Sequence, residues 1–220
     1  MVTSPVAVQT TCEAIDPRIR RTRALLQEAL LKLMKEKDFE KISVQDISEA
    51  ATVNRATFYD HYADKFALLE CVAAGRFLNL LDERGVVFDG TCPNALRGIV
   101  LGVCDYLAGA PGMASDRQPQ MEPHLEAAVV AVVRRMVLDG LRQNPLANGV
   151  PPEMTAATVS SAVYGAVKEW VRTPERCSTD EMVNMVMTLV FPMFLGAPAH
   201  PVIEFVHTLL KPSHIAVQDG

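Results

Sequence analysis

The sequence lacks several features that mark secreted or membrane proteins. Only five of its 220 residues are cysteine and none lies in a Cys-x-x-Cys pair, so neither a disulfide framework nor a zinc site is predicted. No apolar run approaches the roughly 18 residues that a membrane span needs. Residues 1–15 contain no Lys or Arg and no apolar core, which argues against a secretory signal. We therefore expect a cytoplasmic protein with reduced thiols and no membrane partner.

Signatures of catalysis are also missing. The sequence contains no Gly-rich phosphate loop, no Gly-x-Ser-x-Gly elbow and no His-Glu-x-x-His motif. His200, His207 and His214 recur every seven residues, but only Glu204 accompanies them, which is a weak pattern for a metal site. We expect neither an enzyme nor a bound cofactor or metal.

Charge is scarce overall and unevenly distributed. Charged residues make up 21% of the chain and hydrophobic residues 49%, with a net charge of -5, so the chain is not disordered. Residues 17–65 nevertheless hold ten Lys and Arg against eight Asp and Glu. The cluster Arg18, Arg20, Arg21 and Arg23 is either a solvated helix face or a set of phosphate contacts.

Helical periodicity dominates the chain and predicts an all-α fold. Asp16 followed by Pro17 predicts the start of a helix of about twenty residues. Ser43 and Asn54 are plausible N-caps of two short helices, and Asp64 of a long fourth helix. Later helices are predicted at about Pro93–Leu107, Pro123–Gln143, Pro152–Arg172 and Thr179–Leu195, with a possible short one at Val202–Leu210.

The tight break between the second and third helices is typical of a helix-turn-helix. On the third helix Arg55 and Tyr59 are four residues apart and share a face. Phe58 and Tyr62 fall on the other side, which favours core packing for both of them. The second helix of such a pair presents its N-terminal residues to base edges in the major groove.

Residues 42–69 also carry a specific motif. Its matching positions are Ile47, Ala50, Val53, Thr57, Phe58, Tyr59, His61, Lys65 and Leu68. In these residues the segment resembles the N-terminal domain of TetR-family transcriptional regulators. It departs from that pattern at Ser48, Thr52 and Tyr62. Thr52 stands where Gly is usual, so a left-handed backbone there would be strained.

The resemblance implies a homodimer that binds a palindromic DNA operator and is released by a small, lipophilic effector. It implies DNA contacts at Ser43, Gln45, Arg55, Ala56, Thr57, Tyr59, His61 and Lys65. The chemistry agrees, because Arg55 can offer a bidentate fork to guanine and Ala56 can touch a thymine methyl. Asp60 could accept a hydrogen bond from cytosine N4 or pair with a neighbouring protein group.

The rest of the chain is expected to sense the effector and to dimerise. We predict an arm at residues 1–15, a DNA-binding domain at 16–63, and a helical effector-binding and dimerisation domain at 64–220. The predicted pocket residues are Phe77, Leu81, Tyr106, Met136 and Tyr164, although aromatic and Met residues at helical spacing more often belong to the plain core. The predicted dimer interface consists of Ala157, Ser161, Gly165, Val183, Met187, Val190 and Phe194.

Two alternatives stay open at this point. The apolar stripe on the last predicted helix could cover the monomer's own core instead of a partner helix. The chain could also be a helical interaction or ligand-binding module that has lost operator binding, as its acidic balance would allow.

Overall fold

The computed structural model describes residues 16–108, 119–147 and 149–195. All regular structure in these ranges is helical, which confirms the predicted all-α fold. The helices are α1 (Pro17–Glu36), α2 (Val44–Ala50), α3 (Arg55–His61), α4 (Lys65–Glu83), α5 (Pro93–Ala108), α6 (Glu122–Gln143), α7 (Pro152–Arg172) and α8 (Thr179–Val190). Short 3₁₀ turns follow α1 at Phe39–Lys41 and α8 at Phe191–Met193.

Some predictions concern residues that the structure does not describe. The arm at residues 1–15, the short helix at Val202–Leu210 and the three spaced histidines His200, His207 and His214 lie outside the described ranges.

Five helices begin at side-chain caps, and the first four of these were predicted from the sequence. The side chains of Asp16, Ser43, Asn54, Asp64 and Ser178 each accept a hydrogen bond from a backbone N–H in the first turn that follows. Such bonds satisfy N–H groups that have no partner inside the helix. The starts of these helices are therefore encoded locally.

The end of α8 differs from the prediction. The helix was expected to continue to Leu195, but it ends at Val190 and gives way to the 3₁₀ turn. Pro192 lacks the backbone N–H that would bond to the preceding turn, and its ring crowds the carbonyl four residues earlier. The chain therefore tightens, and the Phe194 N–H donates to the Phe191 carbonyl at 2.9 Å.

α4 joins the first three helices to the rest of the structure. It packs against α1 on one hand and against α5 and α6 on the other. α7 in turn packs on α5, α6 and α8. Buried side chains form one continuous cluster that reaches from Leu26 on α1 to Phe194 after α8. This core crosses the predicted domain boundary at residue 63, and the division into domains stays a prediction.

The break between α2 and α3 is a Schellman turn built on a strained residue. The Val53 N–H donates to the Ser48 carbonyl at 2.9 Å, and the Thr52 N–H to the Glu49 carbonyl at 3.0 Å. Thr52 has φ +56°, in the left-handed region where glycine is favoured. The strain expected from the sequence is therefore present, and the turn geometry is retained without glycine.

Replacing Thr52 by Gly should stabilise the protein by about 1 kcal/mol, because it relieves the left-handed strain of a β-branched residue. The thermal midpoint should rise by about 2–4 °C for a chain of this size. Thermal unfolding followed by circular dichroism, at equal protein concentrations, measures the change. Thr52→Ala is the comparator. It keeps Cβ, so its thermal midpoint should rise less than that of Thr52→Gly. Equal midpoints for all three proteins would contradict this account.

Candidate DNA-binding interface

The outer side of α3 is a continuous exposed strip. Arg55, Ala56, Tyr59 and Asp60 are exposed, and we call these four residues the α3 strip. Arg55 Nη2 lies 3.4 Å from the Tyr59 hydroxyl, and the guanidinium carbon lies 5.9 Å from the Tyr59 ring centroid. The two side chains thus form one edge of the strip and keep most of their polar atoms free for a ligand.

The inner side of α3 holds the helix in the core. Phe58 is fully buried and Tyr62 nearly so, as their spacing predicted. The Phe58 ring meets the Tyr59 ring edge-on, with centroids 5.5 Å apart, and lies 6.0 Å from the Tyr62 ring. Because Phe58 anchors α3 from behind, the orientation of the α3 strip is determined by packing.

The start of α2 is held by a capping box. The Ser43 hydroxyl accepts from the Asp46 N–H at 3.1 Å, and the Ser43 N–H donates to the Asp46 carboxylate at 2.7 Å. These hydrogen bonds, together with Lys37 at 3.0 Å, lower the pKa of Asp46 to about 2. The Ser43 hydroxyl therefore serves as the N-cap of α2, although the residue is exposed.

The other predicted contacts lie around the α3 strip. Gln45 is exposed on α2, where its amide donates to the Glu49 carboxylate at 2.8 Å. Thr57 and His61 are half-buried at the flank of α3. Thr57 and His61 thus lie on the same helix as the strip, and Gln45 lies on α2, which packs against α3.

Lys65 has a different role from the predicted DNA contact. Its Nζ donates to the backbone carbonyls of Phe39 at 2.9 Å, Glu40 at 3.1 Å and Ile42 at 2.8 Å. It also lies 4.6 Å from the ring centroid of Phe39 and 5.6 Å from that of Phe66. An ammonium group has three donors, and all three are used here. Because these donors are occupied within the chain, the structure does not favour the predicted phosphate contact of Lys65.

Lys65 instead ties the start of α4 to the connector between α1 and α2. Partial burial lowers its pKa, as expected for a cation taken out of water. No sequence pattern indicated this role, because the three acceptors are backbone carbonyls more than twenty residues earlier in the chain.

A buried polar cluster that the sequence did not indicate joins α1, α3 and α4. Gln27 donates to the Tyr62 hydroxyl at 3.2 Å and lies 3.4 Å from the Cys71 sulfur. The Tyr62 hydroxyl donates to Cys71 Sγ at 3.7 Å, and burial raises the pKa of Tyr62 to about 12. Arg23 lies over the Tyr62 ring, 5.6 Å from its centroid. One arginine of the basic cluster is therefore engaged by the protein itself.

The remaining basic residues of α1 keep their side chains in solvent. Arg18, Arg20 and Arg21 are exposed, whereas Arg23 is half-buried. The three exposed arginines form the positive end of the first three helices.

His124 links α6 to the start of α4. Its ring stacks on Phe66 with centroids 4.5 Å apart, and Nδ1 lies 2.6 Å from a carboxylate oxygen of Glu70. The Phe66 ring also meets the Phe39 ring edge-on, with centroids 5.4 Å apart. A continuous set of contacts therefore runs from α6 through α4 to the connector behind the first three helices.

The predicted pocket residues lie in the core. Phe77, Leu81, Tyr106 and Tyr164 are buried and Met136 is half-buried. The rings of Phe77 and Tyr106 are in contact, with centroids 5.4 Å apart. Two surface cavities, of about 610 Å³ beside α6 and α7 and about 430 Å³ beside the end of α8, are lined by other residues. The location of an effector pocket stays a prediction.

The predicted dimer stripe on α8 requires a correction. Val183, Val190 and Phe194 are buried in the chain's own core and Met187 is half-buried. α5 and α7 cover them, so this stripe needs no partner helix. Helical spacing identifies an apolar face, but it does not show whether the chain's own helices or a partner's helix covers that face.

Other residues of α7 and α8 remain in solvent. Met185 is 49% and Leu189 69% exposed on α8. On α7 the predicted interface residues Ser161 and Gly165 are exposed and Ala157 is half-buried. The apolar surface available to a partner therefore differs from the predicted one on α8.

Within residues 16–108, 119–147 and 149–195, no helix is long and apolar enough to cross a membrane. The same part of the chain contains no group of three His, Cys, Asp or Glu that could hold a metal ion.

A first helix of 20 residues, two helices of seven residues each with a tight turn between them, and an exposed polar strip on the third helix form a helix-turn-helix, the arrangement found in many DNA-binding domains. Residues 26–72 match the sequence model of a family described as "Bacterial regulatory proteins, tetR family". This part of the chain is therefore similar to the regulatory proteins of that family.

One relative is similar in sequence over this region. It is an uncharacterized HTH-type transcriptional regulator, YxbF, from Bacillus subtilis (strain 168), and it is 42% identical over 70 residues. The match covers 31% of this chain, and the chain spans only 18% of that relative's length.

Solved structures share the fold over most of the chain. A TetR transcriptional regulator from Rhodococcus sp. RHA1 has a TM-score of 0.55 at 13% identity, covering 82% of this chain and 100% of that one. RolR in complex with resorcinol has a TM-score of 0.51 at 17% identity, covering 83% of this chain and 96% of that one. At such identities the likeness shows the fold alone.

Replacing Lys65 by Met should destabilise the protein by about 2 kcal/mol, because three carbonyl acceptors lose a charged donor while the apolar stem is kept. Urea unfolding followed by circular dichroism measures the loss. Lys41→Met is the matched control, since the Lys41–Asp38 ion pair is exposed and should matter little. Unchanged stability combined with a shallower salt dependence of DNA binding would instead restore Lys65 as a phosphate contact.

Proposed function

We propose that this protein is a sequence-specific transcriptional repressor that acts in the cytoplasm as a homodimer on a palindromic DNA operator. In this proposal a small, lipophilic effector releases it from DNA. The observation that carries the proposal is the α3 strip, which presents arginine, tyrosine and a small residue on the outer side of an anchored helix-turn-helix.

The α3 strip fits the major groove. Arg55 offers a bidentate donor pair to guanine O6 and N7, and Ala56 is small enough for close approach to a base pair. Gln45, Thr57 and His61 flank the strip as donors for phosphates or base edges, and Arg18, Arg20 and Arg21 add phosphate contacts. Ser43 contributes from its capping position at the start of α2.

The weak positive charge of the first three helices favours a dimer. Residues 17–65 carry only two more basic than acidic residues, so non-specific attraction to phosphates is modest. Two α3 helices at half-sites about 34–36 Å apart would add their contacts.

The exposed faces of α7 and α8 are the surface we propose for dimerisation. Met154 is 62% exposed on α7, on the same side as Ser161 and Gly165. Small residues let a partner helix approach closely, and Met185 and Leu189 add exposed apolar area on α8. A two-fold dimer would bury the same patch on both protomers.

Effector release is proposed to act through α4. A ligand among α4, α5, α6 and α7 would have to open the packed core around Phe77 and Tyr106, whose apolar character favours a lipophilic molecule. RolR, a structural neighbour, was solved with the small aromatic molecule resorcinol. Movement of α6 would reach the start of α4 through His124 and Phe66. A coupling of about 1–3 kcal/mol between the two sites would suffice for regulation.

The DNA-binding proposal is tested by operator selection followed by gel-shift titration. Arg55→Ala should cost about 1–3 kcal/mol at one base pair and relax its preference there. Tyr59→Ala should weaken binding to the selected operator and to its single-base variants alike. Arg134→Ala on α6, an exposed arginine far along the chain, is the control and should leave binding unchanged.

Two results would contradict the proposal. If no DNA sequence is enriched and affinity does not fall with salt, the chain is an interaction module without operator binding. If Arg55→Ala and Tyr59→Ala bind the operator as well as the unmodified protein, the docking of α3 is wrong.

The dimer surface is tested with Leu189→Glu. Light scattering coupled to size-exclusion chromatography should show a dimer for the unmodified protein and a monomer for the variant, because the carboxylate would be buried without a partner. Val87→Glu introduces the same charge at a site that is 65% exposed outside α7 and α8, and it should remain dimeric. A Leu189→Glu dimer of unchanged stability would place the interface elsewhere.

A further inference from the structure

Asp60 is an acidic residue on the α3 strip, where a DNA phosphate backbone would repel it. Its carboxylate is exposed, and across the described ranges it takes part in no ion pair and no side-chain hydrogen bond. The other aspartates in and around the helix-turn-helix have partners of their own. Asp38 pairs with Lys41, Asp46 with Lys37, and Asp64 caps α4. A neighbouring protein group therefore does not account for Asp60.

The position of Asp60 on α3 separates it from the arginine. Arg55 and Tyr59 lie one turn apart and contact each other at one edge of the strip. Ala56 and Asp60 have the same spacing and form the other edge. Ala56 carries only a methyl group, so nothing on the helix blocks the approach of a base pair to the Asp60 carboxylate.

The chemistry of the major groove limits what this carboxylate can bind. An ionised carboxylate only accepts hydrogen bonds. Guanine presents the acceptors N7 and O6, and thymine presents O4, whereas cytosine presents the N4 amino donor. Adenine has an amino donor too, but its N7 acceptor lies beside it. Cytosine is the base that offers Asp60 a donor without an adjacent acceptor.

We propose that Asp60 is a specificity-determining residue that accepts a hydrogen bond from cytosine N4 in each half-site. The inference rests on the proposed function, because it requires α3 to lie in the major groove. Asp60 is five residues beyond Arg55, or about 7.5 Å along a helix axis. Base pairs follow one another every 3.4 Å. The cytosine therefore lies about two base pairs from the guanine that Arg55 binds.

The experiment is selection of randomised double-stranded DNA by the full-length protein and two variants. The unmodified protein should enrich cytosine at one position of each half-site, on the order of tenfold over the other bases. Asp60→Asn should move that preference to adenine, because an asparagine amide bonds to adenine N6 and N7 as a pair. Asp60→Ala should lose the preference at that position while keeping the guanine bound by Arg55.

Removal of the charge also has a predicted effect on non-specific binding. Asp60→Ala should bind scrambled DNA more tightly than the unmodified protein, because a carboxylate no longer faces phosphates. Asp139→Asn removes a negative charge from an exposed position on α6 and is the matched control. It should select the same bases as the unmodified protein. Circular dichroism spectra of all variants should coincide, since Asp60 makes no contact that the fold requires.

The possible results distinguish a failure of the proposed role of Asp60 from a failure of the proposed operator-binding function. Identical base preferences for the unmodified protein, Asp60→Asn and Asp60→Ala would overturn the role of Asp60 while leaving the operator-binding function intact. The same result with uniformly tighter binding by Asp60→Ala would mean that Asp60 only repels phosphates, which also overturns it. If the unmodified protein enriches no sequence, the proposed function fails and the inference fails with it.

Discussion

The ammonium group of Lys65 holds together the two parts of the chain on which everything else depends. From the first position of α4 it donates to three backbone carbonyl groups of the connector between α1 and α2. The connector carries Phe39, whose ring packs against both Lys65 and Phe66. Charged donors on backbone acceptors are stronger than neutral ones. This contact ties α4 to the connector that precedes α2, and the burial of Phe58 in the core orients α3.

α4 transmits this constraint to the rest of the molecule. Its first turn contacts the connector through Lys65 and Phe66, while its later residues Phe77 and Leu81 lie in the core shared with α5 and α6. His124 also stacks on Phe66, and its Nδ1 lies 2.6 Å from a carboxylate oxygen of Glu70. A displacement of α6 would therefore reach the aromatic ring that packs against the connector before α2. In the proposed function, α4 is for this reason the element that would couple an effector to DNA.

Local signals made much of the fold predictable. Caps such as Ser43, Asn54 and Asp64 act within one helical turn, so the sequence shows them directly. The strained turn at Thr52 was foreseen for the same reason, because a left-handed position after a helix is a local requirement. The buried side of α3 followed from the spacing of Phe58 and Tyr62.

Long-range contacts were not predictable in this way. The sequence predicted Lys65 as a DNA contact and Val183 as part of a dimer interface. In the structure the Lys65 ammonium binds carbonyl groups of its own chain, and Val183 is buried in the chain's own core. Likewise, nothing in the sequence connects Gln27 and Tyr62 with Cys71. Each of these roles depends on atoms that are far apart in the sequence.

By itself, the sequence determined the helical class, the helix starts and the residues that form the α3 strip, because periodicity and capping are local. Only the tertiary structure decided which polar groups on and near that strip are free. The Lys65 ammonium binds backbone carbonyls and the Arg23 guanidinium lies over the Tyr62 ring. Arg55 and Asp60, in contrast, are exposed to solvent. Whether a charged group is available to DNA depends on the acceptors and rings that folding brings to it, and those come from distant segments.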